Sequence, residues 1–224
     1  MKKPVIFDLD GTLVDSAPDI HAATNALLRA MGYQPLSLRT VRGFIGNGIP
    51  KLVERAMRAS DIEFTTARHK GLCDQFEAIY RQRPAVKSAL YPGVREALET
   101  LRAQGRRLGI CTNKNLDLTH QIIEALELAP LFDAVVGGDS LDVKKPDPAP
   151  YIEALRQLGV DAAIYVGDSE IDAATAKAAK APFALFTEGY RKAAVAAIPH
   201  DFAFSDYERL VPMIEAMEQQ ESAA

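Results

Sequence analysis

Short apolar runs alternate with longer segments of helical period along most of the chain. Five apolar runs predict buried strands at Val5–Phe7, Leu108–Cys111, Ala134–Val136, Ala163–Val166 and Phe183–Phe186. Between these runs, apolar residues recur every three or four positions, as at Val94, Leu98 and Leu101, or at Ile152, Leu155 and Leu158. Apolar strands that alternate with helices are typical of a parallel sheet covered by helices on both faces. The pattern therefore predicts an α/β fold.

One long segment, residues 15–83, interrupts this alternation and contains only helical patterns. Its first helix begins near Pro18 and carries an apolar stripe, which comprises Ile20, Ala23, Leu27, Leu28 and Met31. A second helix follows Pro50, and a third completes the segment. We therefore expect two domains: an α/β domain formed by residues 1–14 and 84–224, and a helical domain formed by residues 15–83 inserted into it.

Composition and charge exclude several classes of protein. The 224 residues carry 26 Lys and Arg against 30 Asp and Glu, a net charge of −4, which opposes nucleic-acid binding because that needs a basic surface. The two cysteines, Cys73 and Cys111, are too few for a disulfide scaffold or a cysteine-based zinc site. The first apolar run is too short for a signal peptide, and no apolar segment is long enough to span a bilayer. We expect a cytoplasmic protein with no nucleic-acid or membrane partner.

Polar residues follow the predicted strands at the points where the strands end. Asp8 and Asp10 follow the first strand, Thr112 the second and Asp168 the fourth, while Lys145 comes a short loop after the third. The carboxyl ends of parallel strands lie at one edge of the sheet, where the ligands of such folds bind. We therefore expect these five side chains to form one site.

Three carboxylates at this edge predict a magnesium site. Asp8 and Asp10 lie two residues apart on an extended chain, so their side chains point the same way and repel each other unless a cation binds. Together with Asp168 they offer the hard oxygen ligands that Mg²⁺ prefers. The alternative for any single Asp is a cap of a helix or a turn. The coincidence of all three favours the metal.

Thr112 and Lys145 are candidates for holding a phosphoryl group beside such a metal. A hydroxyl and an ammonium provide the hydrogen bonds and the charge that phosphoryl oxygens require. As alternatives, Thr112 bonds its own backbone and Lys145 is a solvated surface lysine. Cys111, directly before Thr112, is expected to be a small buried hydrophobe and not a nucleophile.

Four segments of the sequence resemble, in order, the motifs of the haloacid dehalogenase-like (HAD) superfamily. They are Asp8-Leu9-Asp10-Gly11-Thr12, Thr112, Lys145-Pro146, and Gly167-Asp168-Ser169 with Asp172. The resemblance implies a Rossmann-like core and identifies the inserted helices as a C1-type cap. Within the superfamily the sequence is similar to phosphoglycolate phosphatases, in segments 15–20, 46–48, 112–114 and 137–140. One departure is Lys180, which stands where family members often end a helix with Gly.

The resemblance also implies a role for each of these residues. Asp8 would be the nucleophile that forms an aspartyl-phosphate, and Asp10 the general acid and base. Thr112 and Lys145 would hold phosphoryl oxygens. Further substrate contacts would come from Thr12 and Asn113. The Mg²⁺ ligands would be Asp8, the backbone carbonyl of Asp10, and Asp168, with Asp172 bound directly or lying behind them.

The implied substrate is a small phosphorylated metabolite, first of all 2-phosphoglycolate, which would be hydrolysed to glycolate and phosphate. Alternatives within the superfamily are a sugar-phosphate phosphatase, a β-phosphoglucomutase and a pyrophosphatase. A phosphoacceptor signalling module also uses Asp, Thr and Lys around Mg²⁺, but it has no such helical insertion. The chain is expected to be a monomer or a homodimer.

A glycine-rich loop in the helical segment is the candidate for reading the carboxylate of 2-phosphoglycolate. Gly46, Asn47 and Gly48 form a flexible turn before a helix, whose first N–H groups are suited to an anion. Lys51 in the first turn of that helix, or Arg42 upstream, would add positive charge. We expect this loop to close over the site. The alternative is an ordinary turn with solvated cations.

Overall fold

The computed structural model describes residues 2–223 and is built around a parallel sheet of six strands. The described residues form eight strands, which are β1 (Val5–Phe7), β2 (Val14–Asp15), β3 (Ala89–Leu90), β4 (Leu108–Cys111), β5 (Ala134–Val136), β6 (Ile164–Gly167), β7 (Phe183–Phe186) and β8 (Phe202–Phe204). Of these, β2 and β3 lie outside the six-stranded sheet. The helices are α1 (Ala17–Ala30), α2 (Leu38–Arg42), α3 (Gly48–Ala59), α4 (Thr66–Arg81), α5 (Val94–Ala103), α6 (Leu116–Ala125), α7 (Ala149–Leu158), α8 (Glu170–Ala179) and α9 (Leu210–Ala223). Across these residues, no helix combines the length and the apolar character needed to cross a membrane.

The order of strands across the sheet is β5-β4-β1-β6-β7-β8, and every neighbouring pair is parallel. The first strand of the chain therefore lies near the centre, between β4 and β6. This is the order of a Rossmann-like sheet, in which ligands bind where the strand order reverses. The predicted α/β fold is confirmed, and the reversal places the ends of β1, β4 and β6 side by side.

Both faces of the sheet are covered, as the apolar strands predict. On β1, Val5 and Phe7 pack into one apolar cluster with residues of α1, α5, α6 and α9. Ile6 points the other way, into a second cluster with residues of α7 and α8. All three side chains are fully buried. Successive residues of a strand alternate between its faces, so a continuous apolar run requires cover on both sides.

The buried face of α7 differs from the sequence prediction by one position. Ile152 is 53% exposed, so its assignment to the apolar stripe was wrong. Tyr151, Ala154 and Leu158 are the buried residues, at spacings of three and four, and the helix packs on β4 and β5. The Tyr151 hydroxyl donates a hydrogen bond of 2.6 Å to the Ala163 carbonyl, which allows a polar aromatic side chain to be buried.

Helices α1–α4 all lie between β2 and β3, which form a separate antiparallel pair. Within this helical segment, α1 packs on α2 and α4, and α3 packs on α4. Asp15 belongs to β2, so the expectation of helices alone from residue 15 was wrong by one residue. Helix α3 begins at Gly48, two residues before Pro50. Helix α2 was not predicted, because five residues carry too little periodicity, and β8 was not predicted because this edge strand is only partly buried.

Candidate active site

Three buried carboxylates meet at the edge of the sheet where β1 and β6 end. Asp8 directly follows β1 and Asp168 directly follows β6, while Asp172 lies in the first turn of α8. One oxygen of each carboxylate lies within 4.8 Å of the others. Asp8 is 8% exposed, and Asp168 and Asp172 are almost fully buried. The structure therefore brings Asp8 and Asp168 together with Asp172, whereas the carboxylate of Asp10, the third one that the sequence placed at the magnesium site, is not part of this cluster.

Burial and mutual repulsion make this cluster unfavourable without a cation. Burial raises the pKa of Asp8 to about 6; Lys145 opposes the shift, whereas the charges of Asp172 and Asp10 increase it. Burial, followed by the charges of Asp172 and Asp8, raises the pKa of Asp168 well above its ordinary value. Carboxylate oxygens held this close and this dry are the donor set that a hard divalent cation requires. The residues present therefore fit Mg²⁺.

Lys145 lies inside the same cluster and supplies its positive charge. Its Nζ is 3.0 Å from Asp8 Oδ1 and donates hydrogen bonds of 2.7 Å to Asp172 Oδ1 and to the Tyr165 hydroxyl. The Asp8 contact is an ion pair without the alignment of a hydrogen bond. Burial lowers the pKa of Lys145, but the charges of Asp172 and Asp8 outweigh it and raise that pKa above its ordinary value. Lys145 is therefore a buried charged residue, and not a solvated surface lysine.

Asp172 is held by its own helix as well as by Lys145. The Ser169 N–H donates 3.1 Å to Asp172 Oδ2 and the Ser169 hydroxyl accepts 3.4 Å from the Asp172 N–H, and these two bonds form a capping box at the start of α8. The Ser169 hydroxyl also donates 2.6 Å to Asp172 Oδ2. Its other oxygen accepts from Lys145 and, at 2.9 Å, from the Tyr165 hydroxyl. Both oxygens of Asp172 thus have several partners within the protein.

Asp168 is fixed from two sides. The Thr12 hydroxyl donates 3.1 Å to Asp168 Oδ1, and the Tyr190 backbone N–H donates to Oδ2. A Cβ at Gly11 or at Gly189 would clash with the Asp168 carboxylate, so both turns need glycine. The sequence placed Thr12 against the substrate, whereas the structure shows its hydroxyl turned toward Asp168.

Asp10 points into a separate part of the site and has different partners. The Ser16 hydroxyl donates 2.5 Å to Asp10 Oδ1, while Lys114 Nζ lies 2.9 Å from Oδ2. Lys114 also donates 3.1 Å to the hydroxyl of Tyr80, which is a residue of α4. Burial lowers the pKa of Lys114, but the Asp10 carboxylate and Tyr80 reverse the effect and raise that pKa above its ordinary value. Asp10 and Lys114 therefore form a buried ion pair.

Thr112 and Asn113 lie in the loop that follows β4. The Thr112 side chain reaches the cavity wall, and its oxygen accepts a hydrogen bond of 3.3 Å from the Lys114 N–H, which leaves its own hydroxyl proton to donate. The Asn113 amide donates 3.0 Å to each of the carbonyls of Gly46 and Lys145 and accepts 3.0 Å from the Lys145 N–H. The Asn113 side chain therefore links its own loop to the backbone of Gly46 and of Lys145.

A cavity of about 480 Å³, including its open mouth, lies above these residues. Its polar wall contains Asp8, Asp10, Thr112, Asn113 and Lys114. The rest of the wall is apolar apart from the Tyr80 hydroxyl and glycine backbone, and it comprises Ile20, Ile45, Gly46, Gly48, Ile49, Leu52, Phe76, Tyr80 and Leu118. Most of this apolar wall comes from α1, α3, α4 and the loop before α3. The cavity is therefore shared between the sheet edge and the helical segment.

Only part of the predicted carboxylate-reading loop reaches this cavity. Gly46 and Gly48 line it, and Gly48 has a positive φ of 77° with little space for a Cβ beside the Asn113 carbonyl. The Asn47 side chain instead accepts a hydrogen bond of 2.8 Å from Arg55. Lys51 is exposed and pairs with Glu54 at 2.7 Å, so the structure does not bring its charge to the site.

Arg42 is also turned away from the cavity. Its guanidinium donates to both carboxylate oxygens of Asp15, at 3.1 and 2.9 Å, and lies 5.3 Å from the centre of the Tyr190 ring. The Tyr190 hydroxyl donates 2.7 Å to the same carboxylate. Arg42 therefore stabilises the contact between α2 and the chain segment around Tyr190.

A family model described as haloacid dehalogenase-like hydrolase matches residues 5–186. The chain belongs to this family. A phosphoglycolate phosphatase of Cereibacter sphaeroides is 48% identical over 210 residues, which cover 94% of this chain and 96% of that protein. A phosphoglycolate phosphatase of Rhodobacter capsulatus is 44% identical over 221 residues, or 96% of this chain and 98% of that protein.

The fold is shared with solved structures of the same family. The crystal structure of a predicted phosphoglycolate phosphatase from Haemophilus somnus matches with a TM-score of 0.88 and 33% identity, over 95% of this chain and 97% of that one. With relatives this similar over almost the whole chain, the chain is a phosphatase of the haloacid dehalogenase-like family. The resemblance found in the sequence motifs is confirmed.

Three residues of the site escaped the sequence prediction: Lys114, Tyr80 and Tyr165. Lys114 carried a signal, because it lies two residues after Thr112 in the loop after a buried strand. The tyrosines carried none, since their apolar neighbours make them typical core residues and only the fold shows which polar group each hydroxyl meets. Cys111 is fully buried and burial raises its pKa to about 12, so the expectation that it is no nucleophile is supported.

Proposed function

We propose that the chain is a Mg²⁺-dependent phosphomonoesterase that acts through an aspartyl-phosphate on Asp8, with 2-phosphoglycolate as its substrate. The observation that carries the proposal is the cluster of buried carboxylates around Lys145, open to a small cavity that also contains Asp10. The proposed nucleophile Asp8 and the second carboxylate Asp10 line one pocket together with Thr112, and the Lys145 ammonium contacts Asp8. These are the groups that phosphoryl transfer requires.

Asp8, Asp168 and the backbone carbonyl of Asp10 would hold Mg²⁺. When bound, the ion supplies positive charge that offsets the charges of the nucleophile and of the phosphoryl oxygens. Asp172 already accepts hydrogen bonds at both oxygens from Lys145, Tyr165 and Ser169. We therefore place Asp172 behind the ligands, where its charge adds to the site and its hydrogen bonds orient Lys145.

In the first step, an oxygen of Asp8 attacks phosphorus and the bond between phosphorus and the ester oxygen breaks. Asp10, in its protonated form, gives its proton to the departing alkoxide, which leaves as glycolate. The Thr112 hydroxyl and the Lys145 ammonium stabilise the negative charge on the phosphoryl oxygens during transfer. The products of this step are glycolate and a phosphorylated Asp8.

In the second step, a water molecule attacks the phosphorus of the aspartyl-phosphate. Asp10, now a carboxylate, takes the proton of that water, and the bond between phosphorus and Asp8 breaks. Inorganic phosphate leaves, Asp8 is again a carboxylate and Asp10 is again protonated. Asp10 lines the same cavity as Asp8 but lies outside the acidic cluster, which suits this alternation.

Two observations support 2-phosphoglycolate over a larger phosphoester. The relatives that are 48% and 44% identical over nearly the whole chain are phosphoglycolate phosphatases. Apart from the polar residues at the sheet edge, the cavity wall is largely apolar, so few groups are available for the hydroxyls of a sugar. A sugar-phosphate substrate would leave several hydroxyls without partners.

We also propose that residues 15–83 act as a cap domain on the α/β domain formed by residues 1–14 and 84–224. Both chain connections of the helical segment run through the paired strands β2 and β3. The segment contributes most of the apolar cavity wall, and its Gly46 carbonyl accepts a hydrogen bond from Asn113 of the core. Opening and closing of this unit would admit substrate and exclude bulk water.

The proposal is tested by steady-state hydrolysis of a panel of phosphoesters with Mg²⁺ and with EDTA. The panel contains 2-phosphoglycolate, β-glucose 1-phosphate and pyrophosphate. We expect the highest kcat/KM for 2-phosphoglycolate and no turnover in EDTA. A higher kcat/KM for either of the other two compounds would refute the substrate, and full activity in EDTA would refute the metal.

A further inference from the structure

The charges that face the cavity are unequal in number. Among its lining residues in the described part of the chain, the acidic ones are Asp8 and Asp10, and Lys114 is the one basic residue. Most of the remaining wall is aliphatic or aromatic. A substrate with a second negative charge therefore meets a single ammonium in a largely apolar cavity, where a charge interaction is stronger than in water.

Lys145 is not the residue that binds the second negative charge of the substrate. Lys145 is not among the residues that line the cavity, and its Nζ already contacts three oxygens, Asp172 and Tyr165 through hydrogen bonds and Asp8 as an ion pair. Lys114 Nζ contacts two, Asp10 at 2.9 Å and Tyr80 at 3.1 Å, and residues 2–223 offer its third donor no hydrogen-bond partner. Lys114 is thus a buried cation with capacity for one further acceptor.

The position of Lys114 beside Asp10 matches the chemistry of the proposed substrate. In 2-phosphoglycolate the carboxylate belongs to the leaving group, and one methylene separates it from the ester oxygen that Asp10 protonates. A residue that reads this carboxylate must therefore lie next to Asp10. Lys114 Nζ lies 2.9 Å from Asp10 Oδ2, and it is fixed there by the Tyr80 hydroxyl of α4.

We propose that Lys114 is the specificity-determining residue that binds the substrate carboxylate, with Tyr80 as its positioning residue; this inference rests on the proposed function. It replaces the cations predicted from the sequence. Lys51 and Arg42 are each paired with a carboxylate, on Glu54 and Asp15, and neither lines the cavity. The recognition site is therefore shared between the loop after β4 and the helical segment.

The test compares two substrates of equal size, 2-phosphoglycolate and its carboxamide, which lacks the second charge. Both are assayed with the wild type, with Lys114→Met and with Lys70→Met, a charge-matched control on the exposed surface of α4. We expect the wild type to prefer the carboxylate. Lys114→Met should lose about 10- to 100-fold more kcat/KM on the carboxylate than on the carboxamide, because a charge-assisted hydrogen bond is lost.

Two further variants separate recognition from a structural role. Lys114→Arg keeps the charge and should retain most of the preference for the carboxylate. Tyr80→Phe should reduce the preference in the same direction as Lys114→Met but by less, through a higher KM. Lys70→Met should leave the ratio of the two kcat/KM values unchanged.

The possible outcomes distinguish this inference from the proposed function. A wild type that prefers the carboxylate and a Lys114→Met variant with the same preference overturn the role of Lys114 alone. An equal loss on both substrates also overturns it, since Lys114 would then act only on Asp10. A wild type without any preference for the carboxylate overturns the proposed substrate, and the inference with it.

Discussion

Replacing Asp8 with Asn changes one oxygen of the acidic cluster into an amide nitrogen. The fold should persist, because the substitution removes a carboxylate whose charge is disfavoured by burial. Turnover should fall by several orders of magnitude, since an amide is a poor nucleophile and a weak metal ligand. Circular dichroism and steady-state assays on 2-phosphoglycolate test both statements. A folded Asp8→Asn variant with about a tenth of wild-type activity would show that Asp8 is not the nucleophile.

The raised pKa of Asp8 predicts how pH and Mg²⁺ affect stability. The pKa in the folded, metal-free protein is about 6, above the ordinary 3.8, so the folded state binds this proton more tightly than the unfolded chain. The contribution of this proton to the free energy of unfolding is fully present below about pH 4, and it is lost as the pH rises through about 6. Mg²⁺ competes with the proton, so it should raise the Tm more at about pH 7.5 than at about pH 5.

Thermal unfolding with Mg²⁺ and with EDTA at the two pH values measures this effect. Asp168→Asn serves as a control, because it removes a proposed ligand and should reduce the gain in Tm at the higher pH. The same gain in Tm at both pH values would contradict a metal bound at Asp8.

At the scale of the secondary-structure element, Lys180 ends helix α8 in an unfavourable conformation. Its φ is 55°, in the left-handed region that favours glycine. Lys180→Gly should therefore stabilise the protein by about 1 kcal/mol, while Lys180→Ala, which keeps the Cβ, should change stability little. Urea denaturation of both variants gives the two free energies of unfolding. A Gly variant no more stable than the Ala variant would show that the backbone at Lys180 is not strained.

The elements that the sequence predicted correctly are those whose pattern is local. β1, β4, β5 and β7 were predicted with their observed bounds, because buried strands carry continuous apolar runs. β6 was predicted one residue too early, because Ala163 extends the apolar run before the strand begins. The buried face of α7 was misjudged, because Ile152 and Tyr151 both complete an apolar stripe and only packing on the sheet distinguishes them. The pairing of β2 with β3 was missed, since two residues each carry no pattern.

At the scale of the whole molecule, Arg106 joins the last helix to the start of the sheet. Its guanidinium is fully buried and donates to both oxygens of Glu218 on α9, at 2.6 and 2.8 Å, and to the Lys3 carbonyl at 2.8 Å. Arg106→Met removes these charge-assisted hydrogen bonds and should cost about 2 kcal/mol of stability, since the partly exposed Glu218 that remains can be solvated. Arg106 precedes β4, at the opposite end from the active site, so kcat should be unchanged.

Arg156→Met is the matched control, because Arg156 pairs with Glu153 in an exposed position, where solvent screens the pair and it contributes little to stability. Denaturant unfolding gives the two stability changes, and assays at a temperature where both variants are folded give kcat. Equal losses of stability in the two variants would show that the Arg106–Glu218 pair contributes no more to the free energy of unfolding than an exposed pair does.

The residues that meet at the carboxyl ends of the strands could be predicted because a parallel sheet is regular. Parallel strands place their carboxyl ends together, so Asp8, Asp168 and Lys145 converge even though they are far apart in sequence. What the sequence does not show is which helix faces that edge. Tyr80 comes from α4 and meets Lys114 across the cavity, and Lys51 turns outward to Glu54; neither follows from local pattern.

The central position of β1 also has a consequence for the order in which the protein forms during synthesis. β1 is synthesised well before β4 and β6, its neighbours in the sheet. The helices α1–α4 are complete before either partner exists. The nascent chain therefore carries an apolar strand without a partner, followed by a helical segment able to pack on itself. Asp8, the proposed nucleophile, is synthesised 160 residues before Asp168, its proposed partner in binding the metal.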